Sequence, residues 1–461
     1  MKNLIGKNWV DSNSDNVIEV RNPATNELID VVYGASEKDV TLAVSEAKKA
    51  YNYWANISVF ERGEILRKFA NLVKENISSL SQLLSRETGK PINEAYSEIN
   101  RTNFIINEYI EESRHLLENV KENNDIYNNT KEIHFEQRTP IGVVACIMPF
   151  NLPSYVFSKK VIPAIIMGNV VVLKPSSNAP LTLTKYVELM IESGIPYGVI
   201  QVLNGTGDTV GVEITKNQGI DLISLTGKRE TGVLLKEQVK SNSTILSLNL
   251  SSNDCFIVCE DADITSAVEE TLKCRLYNTG QVCYGGKRFL IHNSLKDKFV
   301  SSLSSKMRTL KIGNPIDPKV NIGCLINEKA AINVQNQVNK TIQEGAKIVV
   351  GGRRRGAYFE PTILSNITSD MSIAKDMEIC GPVIPIIGYD DIEEAIKIAN
   401  QSEKTLSGSI ITKNIDTAIK ISKKLNAEKV VINGSLLFET DAKITDLTEM
   451  THVKTIVLRN V

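Results

Sequence analysis

Val143-Val144-Ala145-Cys146-Ile147, Val170-Val171-Val172-Leu173, Val199-Ile200-Gln201-Val202-Leu203 and Leu222-Ile223-Ser224-Leu225 are short runs dominated by β-branched and other apolar residues, with longer mixed stretches between them. They are largely apolar at consecutive positions, so neither face of such a strand would meet water. Strands of this kind lie in parallel sheets covered by helices on both sides, which predicts an α/β doubly wound sheet. A second α/β block begins near residue 251. It carries Phe256-Ile257-Val258, Val383-Ile384-Pro385-Ile386-Ile387 and Gly408-Ser409-Ile410-Ile411, with helical stretches at Ile392 to Ala399 and Ile415 to Leu425. No low-complexity linker separates the two blocks, so a cleft between them is expected, the usual place for a ligand.

Upstream of these strands the period changes. Ile65, Leu66, Phe69, Leu72 and Val73 recur at i, i+3, i+4 and i+7, which predicts an amphipathic helix. Gly89-Lys90-Pro91 is the expected end of that helical region. Residues 131–138 and 451–458 alternate polar and apolar in part and are read as half-exposed strands. An unpaired edge invites association. They therefore complete a sheet, either across subunits or as a hairpin within one chain.

The chain has 461 residues, enough for two or three domains. Its 42 % hydrophobic content can bury a large core without a disulfide or metal staple. Basic and acidic residues nearly balance, 53 against 54, so a nucleic-acid partner is not expected. The Arg353-Arg354-Arg355 cluster is read as a solvated turn rather than an anion site. No apolar run is long enough to span a membrane, and the start, Met1 to Trp9, lacks a signal-peptide core. The seven cysteines form no C-x-x-C pair and the four histidines are far apart, so no metal site is expected. Free thiols fit a reducing, cytoplasmic setting, where one could serve as a nucleophile.

Four stretches together resemble the aldehyde dehydrogenase superfamily. They are Met148-Pro149-Phe150-Asn151-Leu152-Pro153 with Pro163-Ala164, Gly168-Asn169 and Lys174-Pro175-Ser176; Leu225-Thr226-Gly227 with Gly232; Asn278-Thr279-Gly280-Gln281-Val282-Cys283; and Glu378-Ile379-Cys380-Gly381-Pro382-Val383. The pattern is similar to the lactaldehyde and succinate-semialdehyde branch. The resemblance implies two doubly wound α/β domains plus a small β oligomerisation flap. It divides the chain into a nucleotide-binding domain (1–118 and 141–250), a catalytic domain (251–446) and oligomerisation strands (119–140 and 447–461). A homodimer or homotetramer is implied.

The resemblance also implies roles. Cys283 attacks a small aldehyde, since a thiolate both adds to a carbonyl and leaves as an acyl thioester. Cys255, Cys259 and Cys274 are read as buried and inert. The Asn151 amide and a backbone N–H at the cysteine hold the alkoxide, donors each worth roughly 3–4 kcal/mol. The cofactor is NAD or NADP. Met148, Pro149, Phe150, Leu250 and Cys380 belong to its surroundings. Lys174 suits ribose hydroxyls, and Gly280 leaves room near the nicotinamide. Gly207 and Gly211, in a loop that departs from the common dinucleotide fingerprint, lie by the adenosine. Thr226-Gly227 opens a helix suited to a pyrophosphate, and Glu378 matches the carboxylate for the nicotinamide ribose.

Departures from the pattern matter as much. The family's Glu-Leu-Gly-Gly is Asn249-Leu250-Ser251-Ser252 here. Asn249 cannot take a proton from the deacylating water, and losing a general base typically costs a factor of roughly 10²–10⁴. Ser251 and Ser252 crowd a place where glycines allow close approach. Ser177 replaces a carboxylate that would repel the NADP 2′-phosphate, and Lys228 stands where a small hydroxyl residue is usual. After Val431-Ile432-Asn433-Gly434-Ser435, the run from Phe438 to Met450 reaches the last strand early. Three readings stay open: oxidation of a small aldehyde to the acid, acyl transfer from Cys283 to coenzyme A, and an impaired relative that binds nucleotide or partners.

Overall fold

The computed structural model describes residues 1–12, 16–116, 118–125, 130–239, 243–403, 405–435 and 442–459. The apolar runs of the first block become parallel strands whose spatial order is Ile245–Leu250, Leu222–Gly227, Val143–Ile147, Val170–Lys174 and Ile200–Val202. Two antiparallel strands, Asn3–Ile5 and Asn8–Val10, extend the far edge. Val143–Ile147 is the earliest of the parallel strands along the chain yet sits mid-sheet, so winding proceeds outward in both directions from it. The crevice at the carboxyl end of such a switch point is where open α/β sheets hold ligands. It lies here between the ends of Val143–Ile147 and Leu222–Gly227.

The second block forms its own sheet in the order Lys347–Val350, Thr362–Ile367, Val383–Tyr389, Arg288–His292, Cys255–Val258, Ser407–Ile411 and Lys429–Ile432. All its pairings are parallel except that of Lys347–Val350. The expected fold class, two doubly wound α/β units, is what the chain adopts. Glu118–Asp125, Thr130–Pro140 and Thr451–Arg459 make a third, antiparallel sheet. The two half-exposed strands expected from sequence therefore pair with each other inside one chain, Ile456 opposite Phe135.

Local signals explain the helices that carry the site. Val59–Glu75 starts at a reciprocal cap between Ser58 and Glu61, and buries Leu66, Phe69 and Val73 as the apolar stripe predicted. Ile77–Thr88 stops at Gly89, whose φ of 77° is the left-handed conformation that closes a helix, and Pro91 precedes Ile92–His115. Pro153–Ile166 starts with proline in its first turn and is buried along its whole length, including Lys159 and Lys160. One expectation needs correcting. Thr226 and Gly227 do not open a helix but end a strand, because the parallel partner pairs through Gly227 with Leu250; the helix begins at Arg229.

Phe157 of the buried helix meets Phe69 and Tyr186 with ring centroids 6.1 Å and 5.2 Å away. Among the described residues no helix is long and apolar enough to cross a membrane, and no cluster of His, Cys, Asp and Glu could hold a metal ion. Phe157→Ala, which empties the middle of the aromatic trio, is expected to lower the unfolding free energy by roughly 3–5 kcal/mol in a urea titration. A loss under about 1 kcal/mol would mean that the trio does not support the core.

Candidate active site

The thiol of Cys283 stands half-buried at the end of a contorted turn, while Cys146, Cys255, Cys259, Cys274 and Cys324 are buried. After the helix Ile264–Leu276 the chain turns through Tyr277–Gly280, with Asn278 and Thr279 at φ of 50° and 55°. Left-handed backbone at non-glycine residues costs of order 1–3 kcal/mol each and persists only when neighbours hold it. Glu94 accepts from the Asn278 backbone N–H at 2.7 Å. The Asn278 amide donates to the carbonyls of Asn151 (2.9 Å) and Gln281 (3.2 Å). Gly280 sits at φ 75°, and a Cβ there would lie 2.2 Å from the Gly381 carbonyl oxygen. The room it leaves is for the 381–382 backbone.

Asn151 follows the strand Val143–Ile147, and its side-chain N–H₂ points at the Cys283 sulfur at 3.5 Å. Its backbone carbonyl accepts from the Lys90 ammonium (2.9 Å) as well as from Asn278, and its own Oδ1 accepts from the Leu152 N–H (3.0 Å). Lys90 pairs with Glu98, both fully buried. Glu98 in turn accepts from the N–H groups of Ser154 and Tyr155 at the start of the buried helix.

A narrow pocket of about 40 Å³ opens on the sulfur, lined by Asn151, Tyr155, Lys159, Lys160, Asn249, Leu250 and Asp446 among others. Lys159 pairs with Asp446 at 2.7 Å, and the Tyr109 hydroxyl donates to the same carboxylate. Asn249 reaches the pocket from the end of Ile245–Leu250. Ser252 is fully buried beside the site. Its hydroxyl donates to the Cys283 carbonyl at 2.8 Å, a contact that glycine cannot make. The Glu378 side chain is largely buried. The buried Lys287 holds it at 2.5 Å and keeps it below the usual carboxylate range against the opposing effect of its burial.

The other expected residues collect along the carboxyl ends of the first sheet. Met148, Pro149 and Phe150 follow Val143–Ile147, and the Met148 N–H donates to the Lys174 carbonyl at 3.0 Å. Lys174 ends its strand, buried, with its ammonium on the Pro175 carbonyl; burial pulls it down to about 8. Gly207–Gly211 forms a single π-helical turn, with Gly211 facing the Lys174 side chain. Gly227 and the exposed Lys228 lead to the Arg229 helix, and Leu250 packs over Gly232. The buried Thr226 hydroxyl has no hydrogen-bond partner among the described residues. An orphaned hydroxyl and a lone buried ammonium along one crevice suit the hydroxyls and phosphates of a dinucleotide, so the residues fit such a cofactor. Ser177 lies further out, with Thr206 on the wall of a groove of about 1400 Å³ whose lining also includes Arg354. Arg354 is in a short strand and pairs with Glu328.

A model of the aldehyde dehydrogenase family matches residues 9–445. This chain belongs to that family. It is 36 % identical over 442 residues to a lactaldehyde dehydrogenase of Methanococcus aeolicus, covering 95 % of this chain and 92 % of the relative. It is 32 % identical over 443 residues to the succinate-semialdehyde dehydrogenase [NADP(+)] of Escherichia coli, covering 94 % and 90 %. The structure of betaine aldehyde dehydrogenase from Staphylococcus aureus in complex with NAD⁺ matches with a TM-score of 0.93 at 29 % identity, covering 99 % of this chain and 94 % of that one.

Against this family background, several residues escaped sequence reasoning. Lys90, in the loop before the helix Ile92–His115, and Glu94 and Glu98 on that helix support the site from far upstream, and Tyr109, Lys159 and Asp446 meet only in the folded chain. Lys287 lies four residues after the cysteine, behind Gly285-Gly286 and just before the strand Arg288–His292. The part of the shortened C-terminal stretch at 436–441 lies outside the described residues. Gly280→Ala is expected to abolish rapid alkylation of Cys283 by iodoacetamide and to lower the melting temperature by several degrees. Unchanged values in both assays would refute the close approach to Gly381.

Proposed function

We propose that this aldehyde dehydrogenase family member oxidises a small aldehyde through a covalent intermediate on Cys283, with NAD or NADP as cofactor. The observation that carries the reading is the Asn151 amide at 3.5 Å from the Cys283 sulfur, in a pocket beside the crevice of a doubly wound sheet. The sulfur adds to the aldehyde carbon, and the carbonyl oxygen takes up negative charge within reach of the Asn151 N–H₂. Such a donor matters most where water is excluded. A bound nicotinamide dinucleotide supplies the hydride acceptor. Lys174, Thr226, Gly227, Gly207, Gly211 and Glu378 would hold it along the carboxyl edge, and Met148, Pro149, Phe150, Ser177, Lys228, Leu250 and Cys380 surround that path. Loss of hydride leaves a thioester on Cys283.

The next step is where this chain differs from its family. Asn249 lines the pocket but has no proton-accepting atom at neutral pH. We therefore expect fast acylation and slow hydrolysis. Coenzyme A as acyl acceptor is a second reading that this same residue favours, since a thiol needs less help than water. The division into residues 1–118 with 141–250, residues 251–446, and residues 119–140 with 447–461 is part of this proposal. So are a homodimer or homotetramer and a cytoplasmic setting. Val453, Ile456, Val457 and Leu458 are exposed on a strand of the third sheet, as a subunit contact would require.

Rapid mixing with NAD or NADP and a panel of small aldehydes should give one burst of reduced cofactor per Cys283, followed by a slow steady rate. Cys283→Ala should abolish both phases. No burst with any aldehyde would overturn the reading. Asn249→Glu should raise the steady rate by a factor of roughly 10² or more, and coenzyme A should do so only if it is the acceptor. An unchanged steady rate in Asn249→Glu would show that deacylation is not limiting.

Lys174 adds a pH signature. Its ammonium is charged below about 8 and loses its charge as pH rises through that value. Affinity for the anionic cofactor should accordingly fall between pH 7 and 9 in calorimetric titrations, and Lys174→Met should flatten that dependence. A flat profile in the unaltered protein would remove Lys174 from the cofactor site.

A further inference from the structure

A thiol attacks as its thiolate, and a protein obtains a thiolate either from an adjacent general base or from a nearby cation. The first route is poorly served beside Cys283: Asn151 and Asn249 are amides, the Asp446 carboxylate of the pocket is taken up by Lys159 and the Tyr109 hydroxyl, and no histidine among the described residues lines the pocket. The second route is open. We propose that Lys287 is the electrostatic partner that stabilises the Cys283 thiolate, and that Glu378 sets how much of its charge the sulfur feels.

The geometry is specific. The Lys287 ammonium donates to the Ser252 carbonyl at 2.5 Å, to the Cys283 carbonyl at 3.2 Å and to Glu378 Oε1 at 2.5 Å. Its three N–H groups are thus committed, so it acts on the sulfur through space and holds the cysteine's backbone in place. The Lys287 side chain is 1 % exposed, where salt screens little. Burial works against its charge, but Glu378 together with the neighbouring Cys380 and Cys283 outweighs this and raises the ammonium above the usual lysine range.

Lys159, Lys160 and Asp446 also line the pocket of the thiol, Lys159 paired with Asp446 at 2.7 Å and Lys160 with Glu449 at 3.7 Å. Burial pushes the Cys283 thiol up. Lys287, at the foot of the strand Arg288–His292, and the Asn151 amide oppose that rise. Glu378, from the loop before Val383–Tyr389, adds to it, as does Asp254 before Cys255–Val258. Burial pushes the Asp254 carboxyl up, against the opposing hydrogen bonds it accepts from the Ser407 hydroxyl and from the N–H groups of Leu406 and Ser407. Cys380 lies against Glu378 at 3.5 Å and is exposed. On ionisation the sulfur keeps the electron pair and the proton passes to solvent water. Removing either member of the Lys287–Glu378 pair must then shift the thiol in opposite directions, which general damage to the site would not do.

The inference rests on Cys283 being the nucleophile of the proposed reaction, but its test reads the thiol without turnover. Iodoacetamide labelling of the full chain in a Cys380→Ser background, followed by mass spectrometry of the Cys283 peptide, gives the reactivity against pH. Lys287→Met should move the profile to higher pH and slow labelling at pH 7 by about tenfold or more. Lys287→Arg should restore most of the rate, and Glu378→Gln should move the profile to lower pH and speed labelling. Shifts in the same direction for Lys287→Met and Glu378→Gln, or none, would overturn the proposal. If Lys287→Met does not fold by circular dichroism, Glu378→Gln decides alone, and a profile unmoved or raised refutes it. A thiol that obeys these shifts in a protein that reduces no cofactor would refute the proposed reaction and leave this inference standing.

Discussion

Lys90 and Glu98 form a buried ion pair that ties residues 90–98 to residues 151–155, and the geometry of the thiol site hangs on it. Lys90 spends its remaining reach on the Asn151 carbonyl, and Glu98 spends its second oxygen on the first N–H groups of the helix Pro153–Ile166. A buried pair of this kind adds little net stability compared with apolar residues of the same volume, yet removing one partner is costly because the other charge is stranded. What the pair provides is position. It joins the helix Ile92–His115 to the turn after Val143–Ile147, where Asn151 presents its amide to the sulfur.

Around that anchor the site is a balance of charges rather than a general-base machine. One lysine, Lys287, is clamped between two carbonyls and Glu378; another, Lys159, is neutralised by Asp446; a third, Lys174, sits unpaired by any carboxylate and is pulled down by burial. Each ammonium is buried, so each interaction runs in a medium of low polarity where charge is worth more than in water. Asn249 lines the same pocket and, as an amide, adds no titrating group to these charges. Ser252 belongs to the same segment. Its hydroxyl ties the Cys283 backbone to the strand end that carries Asn249, so the substituted residues at 249–252 form a coherent local arrangement.

Much of this was legible in the sequence. The apolar runs at 143–147, 170–173 and 222–225 announced parallel strands, because a strand without polar alternation can only be buried on both faces. Gly89 and Pro91 marked the helix break, and the Gly280-Gln281 turn before Cys283 set that thiol apart from Cys255, Cys259 and Cys274, which the fold buries. These features depend on periodicity, backbone freedom and functional-group chemistry, which a residue carries wherever the chain takes it.

Other features waited for the fold. That Thr226-Gly227 ends a strand was decided by its neighbour, since Leu250 supplies the pairing partner; that Gly280 serves the Gly381 backbone depends on a loop a hundred residues away. Lys287 meeting Glu378, Lys90 meeting Asn151, and Asp446 meeting Lys159 have no local sequence signature at all. Sequence by itself determined which elements form and which chemistry the side chains can perform. The tertiary structure decided which charges face one another, because Coulomb energy depends on distance and burial, and neither is written in the order of residues along the chain.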